Sequence, residues 1–243
     1  MIKKYLHILL KKFLNNIGYQ IIKINNNRNN MEDGIKRCRN RDIEIKTVID
    51  VGASNGCWTK LCMKYYQDSY YYLIEAQKAH EPSLNILKNK YSNIDYAIKA
   101  AGNRLGEIYF DDNDLFGGEA SDKPFANNCI IVPISTIDYE VKKNNLKSPF
   151  LIKLDTHGFE IPILQGAEKA LNESNLVIIE AYNFKIAENS IKFYELCVYM
   201  EKKGFYPIDI IDLSLRPKDF SLWQMDIFFI RKDRPEFSSN SYV

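Results

Sequence analysis

From Thr47 onward, apolar runs of strand length alternate with stretches of helical spacing, and this alternation is what most restricts the fold. The runs are Thr47–Val51, 70–74, 94–100, Phe150–Leu154, 176–180, 205–211 and 226–231. Strands separated by helices cannot pair as hairpins, so the pattern predicts an α/β domain with a mostly parallel sheet and helices on both faces. The last two runs have no clear helix between them, across 212–224, and are expected to form an antiparallel pair at the end of a seven-stranded sheet. Two further runs, 107–110 and 130–134, flank a polar loop over 111–128. Gly117 and Gly118 lie in that loop, which is read as a mobile lid.

The junction after the first run reads DVGASNG, Asp50 to Gly56. A glycine-rich strand-to-helix turn lets backbone N–H groups approach a ligand closely. The dinucleotide fingerprint G-x-G-x-x-G needs glycines where this chain has Ser54 and Cys57, which disfavours a dehydrogenase. The run 70–74 ends in Glu75, about 20 residues past the turn, where α/β nucleotide sites place the acid that holds ribose hydroxyls. Asp50 and Glu75 also admit a plainer reading as solvated strand ends. Together they favour a nucleoside pocket.

The remaining pattern, D-x-G-x-x-x-G, resembles motif I of class I S-adenosylmethionine-dependent methyltransferases. A second segment, FLIKLDTHGFEIPILQGAEKAL from Phe150 to Leu171, sharpens the resemblance, together with AAGNRLGEIYF (100–110) and STID (135–138). Over roughly 47–234 the chain resembles the FkbM family of methyltransferases, in a branch with D-T-H-G and a terminal L-W-Q-M-D run (222–226). The usual family form K-x-D-x-E-G-x-E appears here as Lys153, Asp155, His157, Gly158 and Glu160, with histidine in the glutamate position. Ser54 likewise stands where asparagine is common.

The resemblance implies a Rossmann-like class I methyltransferase fold, S-adenosylmethionine as cofactor, and O-methylation of a small polar acceptor, typically a sugar hydroxyl. Cofactor contacts are expected from Asp50, Gly52, Ala53, Ser54, Asn55, Gly56, Glu75, Ala76, Ala101 and Asp155. Strand carboxyl ends gather ligand-binding groups in open α/β sheets, so Asp50, Glu75, Asp155, His157 and Glu180 should converge on one crevice. A hydroxyl must lose its proton as it attacks, and imidazole is the side chain best suited to take it near neutral pH. His157 is therefore the expected base. Asp155 would orient it, touch the cofactor or act as base itself. A capping or packing role is the plainer alternative for His157, and Glu160, in a helix's first turn, is left to the helix dipole.

Acceptor contacts are expected from Glu180, Tyr182 and Asn183, and from the late loop's Arg216, Lys218, Trp223 and Gln224. Cationic forks and an aromatic plate suit a nucleotide diphosphate or a sugar face. No histidine- or cysteine-based metal site is indicated. Magnesium held by Asp155 and Glu180, with Asn183, stays as a lesser alternative.

Residues up to Asn30 include six lysines or arginines and no acid; taking these from the net charge of +2 leaves −4 for the rest. An acidic body lacks the basic stripe that phosphate neutralisation demands, so nucleic acid is not the expected substrate. Ile2, Leu6, Leu9, Leu10, Phe13, Leu14 and Ile17 recur at helical spacing with lysines opposite, giving a basic amphipathic helix. Packing on the body, self-association into a homo-oligomer, and peripheral contact with an anionic membrane compete for it, in that order. A helical appendage over 1–46 and a catalytic domain over 47–243 are expected. Five cysteines without C-x-x-C spacing, and no signal or spanning segment, fit a cytoplasmic protein.

The reading is a cytoplasmic O-methyltransferase of a nucleotide-activated sugar used in surface polysaccharide. The alternatives are a small-molecule or lipid-linked acceptor at the membrane and, from another class, a non-catalytic cofactor-binding module.

Overall fold

The computed structural model describes residue 14 and residues 29–126 and 129–242. The expected basic helix over 2–17 lies outside the described residues, position 14 aside. The first described helix, α1 (Met31–Asn40), is capped by Asn30, whose side chain accepts from Asp33 N at 2.9 Å. Its Ile35 and Cys38 are fully buried among residues that include Tyr71 and Phe228, and Ile43 and Ile45 follow them inward.

Strands β1 (Thr47–Val51), β2 (Tyr70–Glu75) and β3 (Ile94–Ile98) run parallel, with helices α2 (Cys57–Cys62) and α3 (Glu81–Lys90) between them. On the other side of β1 lies β8 (Phe150–Leu154), then β9 (Ser174–Tyr182), both parallel. β11 (Leu222–Arg231) pairs antiparallel with β9, and β10 (Phe205–Leu215) antiparallel with β11. The sheet order is β10-β11-β9-β8-β1-β2-β3. Every residue of β1 and β8 is buried, as central strands covered on both faces require. The expected seven-stranded sheet with its late antiparallel element is present.

The run 94–100 is not one strand. Lys99 N donates to Glu75 O at 2.8 Å, after which β4 (Ala100–Ala101) leaves the main sheet. It joins a second sheet in the order β4-β7-β5-β6, with β5 (Gly106–Asp111), β6 (Glu119–Ser121) and β7 (Ile130–Ser135). Ile108, Phe110, Val132 and Ile134 pack this sheet onto the core that holds Ile49, Ile152 and Ile179. Helices α4 (Ile137–Lys143), α5 (Glu160–Gln165), α6 (Glu168–Asn172) and α7 (Phe193–Lys202) complete the body.

The last hairpin is longer than the sequence pattern indicated. Pairing extends to Ser214↔Gln224 and Leu215↔Leu222, so much of the expected loop over 213–224 is strand, and Arg216 to Ser221 form its tip. Leu213 and Leu215 are exposed there, so strand pairing and not burial sets their conformation.

Chain order reverses across the β1/β8 pair, and a crevice opens at the carboxyl ends of these strands.

Candidate active site and cofactor cavity

A cavity of about 620 Å³ occupies that crevice, in the size range of small-molecule sites. Its floor is the turn after β1. Gly52 has φ +75°, and a Cβ there would stand 1.9 Å from the carbonyl oxygen of Asp155, which in turn reaches back through Asp155 N to Val51 O at 3.1 Å. Only glycine lets the two strand ends approach so closely. Ser54 also takes a left-handed conformation, φ +49°. Asn55 Oδ1 accepts from Cys57 N at 3.1 Å, helping to start α2.

Glu75 braces this turn. Its carboxylate accepts from Ser54 N and from Gln77 N, both at 2.7 Å, so the acid is fixed by backbone donors at the cavity edge. Gly52, Ala53, Ser54, Asn55, Glu75, Ala76, Ala101 and Asp155 all line the cavity.

Two expected cofactor residues are placed elsewhere. Asp50 is fully buried behind the turn, and its Oδ2 accepts from Thr59 Oγ1 at 2.6 Å. Burial pushes its carboxyl up to about 6, against the pull of Lys153 and the Thr59 bond. Gly56 starts α2 at φ +74°, where a Cβ would strike Leu87 Cδ1 at 2.2 Å; its role is packing.

The other end of the cavity is built from side chains. Lys153, buried on β8, donates to Asp155 Oδ2 at 2.6 Å and lies over the Trp58 ring at 5.4 Å. Beyond it the D-T-H-G turn places His157 at φ +49° and Gly158 at φ +101°. His157 Nδ1 donates to Gly118 O at 3.3 Å, so Nε2 points inward, 3.8 Å from Asp155 Oδ1 and 3.7 Å from Glu180 Oε2. Glu180, at the end of β9, accepts from the Tyr182 hydroxyl and from Gln224 Nε2, the latter at 2.7 Å. Burial and the Asp155 charge push the Glu180 carboxyl up. Asp155 stays low because Lys153 outweighs its burial. Glu160 turns away from the cavity and accepts from Gly158 N at 2.9 Å, a capping role.

Of the expected acceptor residues, Glu180 and Gln224 line the cavity. Tyr182 supports Glu180 from behind, and Asn183 Nδ2 donates to Leu222 O. Trp223 stacks on Phe184 at 5.4 Å, outside the cavity lining. Arg216 sits at the hairpin tip with its guanidinium engaged by Asp219 and laid over Phe184 at 4.2 Å, and Lys218 belongs to the same tip. These residues are not brought to the cavity, because the hairpin runs past the sheet edge instead of folding back over it.

Several lining residues carried no local signal. Gln77 and His80 follow β2 and hold the 114–118 segment over the cavity: Gln77 Nε2 donates to Asp114 O at 2.9 Å, and His80 Nε2 to Leu115 O at 2.8 Å. Leu115, Phe116 and Gly118 thereby become cavity wall. Position just past a strand's carboxyl end was the available clue to His80.

The model of the methyltransferase FkbM domain matches residues 50–207. The chain belongs to the FkbM methyltransferase family. A solved FkbM methyltransferase from Methylobacillus flagellatus KT superposes with a TM-score of 0.51 at 18% identity, covering 75% of this chain and 43% of that one. This FkbM-family chain thus spans less than half the length of that relative, and the likeness establishes the class I fold. A fibrillarin pre-rRNA processing protein from Methanococcus jannaschii matches at 14% identity and a TM-score of 0.49, covering 78% of this chain and 68% of that one. Among curated proteins none matches the chain. No helix among the described residues of this family member is long and apolar enough to cross a membrane.

Proposed function

We propose that the protein is an S-adenosylmethionine-dependent O-methyltransferase whose acceptor is a sugar hydroxyl, acting in the cytoplasm. The observation that carries this reading is the shared cavity: a glycine turn at one end and the Asp155, His157 and Glu180 cluster at the other. What supports the cofactor at the first end is that the tight Gly52 turn and Glu75 both line the cavity, the acid keeping lone pairs to spare for hydroxyls. Gly52 to Asn55, Glu75 and Ala76 would hold it. When bound, it supplies a methyl group already activated on a sulfonium.

What the chain itself contributes is positioning and proton removal. Asp155 and His157 are the proposed catalytic pair, with Glu180 beside them. As the methyl group is transferred, the hydroxyl proton of the acceptor would pass to this cluster, in which His157 Nε2 lies 3.8 Å from Asp155 and 3.7 Å from Glu180. A positioned base contributes about 10²- to 10⁴-fold. The 111–118 segment, tied down through Gln77 and His80, excludes water from the reacting atoms.

Incubation with radiolabelled S-adenosylmethionine and pools of nucleotide sugars, free glycans and lipid-linked sugars tests the reading. Transfer to one pool supports it and identifies the carrier. Cofactor binding with no transfer to any pool would revive the non-catalytic module.

A further inference from the structure

We infer that Asp155, His157 and Glu180 form a binding site for one divalent cation of the Mn²⁺ type, facing the acceptor end of the cavity. The inference deepens the proposed function and rests on it for the cation's role. One ligand atom from each residue lies within 4.8 Å of the other two. The contacts to His157 Nε2, at 3.7 and 3.8 Å, are too long for hydrogen bonds. They suit atoms around a single ion, because ligands about 2.1 Å from a metal lie roughly 3 to 4.2 Å from one another.

The outer side of each ligand is already held. His157 gives its Nδ1 proton to Gly118 O, which leaves the Nε2 lone pair aimed inward. Lys153 fixes Asp155 through its other oxygen, Gln224 holds Glu180 through Oε1, and the Tyr182 hydroxyl bonds the facing Oε2, which keeps a second lone pair for a ligand. Such outer contacts are how proteins orient metal ligands. Charge points the same way. Asp155 and Glu180 both bring carboxylates to the cavity wall at this end, with the Lys153 ammonium bonded to Asp155.

An imidazole beside two carboxylates favours Mn²⁺ over Mg²⁺ or Ca²⁺, which prefer oxygen alone. Three protein ligands leave open positions toward the cavity, where the acceptor oxygen would bind and become more acidic. With the ion present, Nε2 serves as a ligand in place of acting as the base, and the acidified hydroxyl gives its proton to a carboxylate of the cluster.

The full chain, stripped with chelator and dialysed, is titrated with Mn²⁺ while free Mn²⁺ is followed by electron paramagnetic resonance. S-Adenosylmethionine binding is measured calorimetrically on the same stripped sample. We expect one Mn²⁺ per chain, and at least tenfold weaker binding in both His157→Ala and Glu180→Gln, each checked for folding by circular dichroism. No saturable binding, or equal affinity in both folded variants, would overturn the site. Cofactor bound without Mn²⁺ removes the metal site alone. Mn²⁺ bound without cofactor or transfer removes the proposed function and leaves the site standing.

Discussion

At the turn after β1 the cavity wall is main chain anchored on one carboxylate, whereas at the ends of β8 and β9 it is a set of ionisable side chains held by their neighbours. The first end depends on conformation: Gly52 cannot bear a Cβ, and Ser54 N and Gln77 N both anchor on Glu75. The second depends on charge, with His157 Nε2 facing Asp155 and Glu180 across 3.7 to 3.8 Å. A ligand common to many enzymes can be gripped by backbone geometry. In the proposed reaction the other end must instead move a proton, and that needs groups that change charge.

The largest expected effect separates the two ends by breaking the first. Gly52→Ala puts a Cβ 1.9 Å from a backbone oxygen at φ +75°, so the strand ends must part. Calorimetry should show cofactor affinity falling more than about 100-fold, beyond the roughly 1 to 2 kcal/mol that a left-handed alanine alone would cost. Next comes His157→Ala, expected to lower turnover by about 100-fold, the lower end for a positioned base. Its cofactor affinity should stay within a factor of about two, because the lost ring makes no contact with the turn. Glu75→Ala frees two backbone donors and should weaken cofactor binding roughly tenfold, in line with about 1.5 to 3 kcal/mol for bonds to a charged group.

Asp50→Asn addresses stability rather than binding. The wild-type carboxyl, pushed up to about 6 when folded against an ordinary 3.8, contributes stability below pH 4 that is lost as pH rises through 6. The stability difference, wild type minus variant, should therefore fall between pH 4 and 6 by at most about 3 kcal/mol, at 1.36 kcal/mol per unit. Urea unfolding at several pH values measures it; a flat difference would place the charge elsewhere. The smallest effect is expected from Arg216→Glu. Its guanidinium is engaged by Asp219 and Phe184, outside the cavity, so acceptor KM should change less than about twofold.

The same contrast explains what could be read from the sequence. The glycine turn is local, and its motif was enough to expect residues 52–55 and Glu75 at the cavity they line, while Asp50 and Gly56 of the same motif are buried away from it. Asp155, His157 and Glu180 could be named because topology sends strand ends to one edge. Their mutual distances could not, since these depend on how β9 is buttressed by Gln224 of β11. Lys99 shows another limit: a strand that leaves one sheet for another looks in sequence like a single run. Arg216 and Trp223 were misplaced for a related reason. The exposed leucines of β10 gave no burial pattern to mark the hairpin's extension.

The most direct test of the division between the two ends is a paired measurement on wild type and His157→Ala. S-Adenosylmethionine affinity is determined by calorimetry, and single-turnover methyl transfer is followed to the acceptor pool. The account predicts matched affinities and a transfer rate about 100-fold lower in the variant. A variant that transfers at the wild-type rate, or a wild-type protein that fails to bind the cofactor, would contradict it.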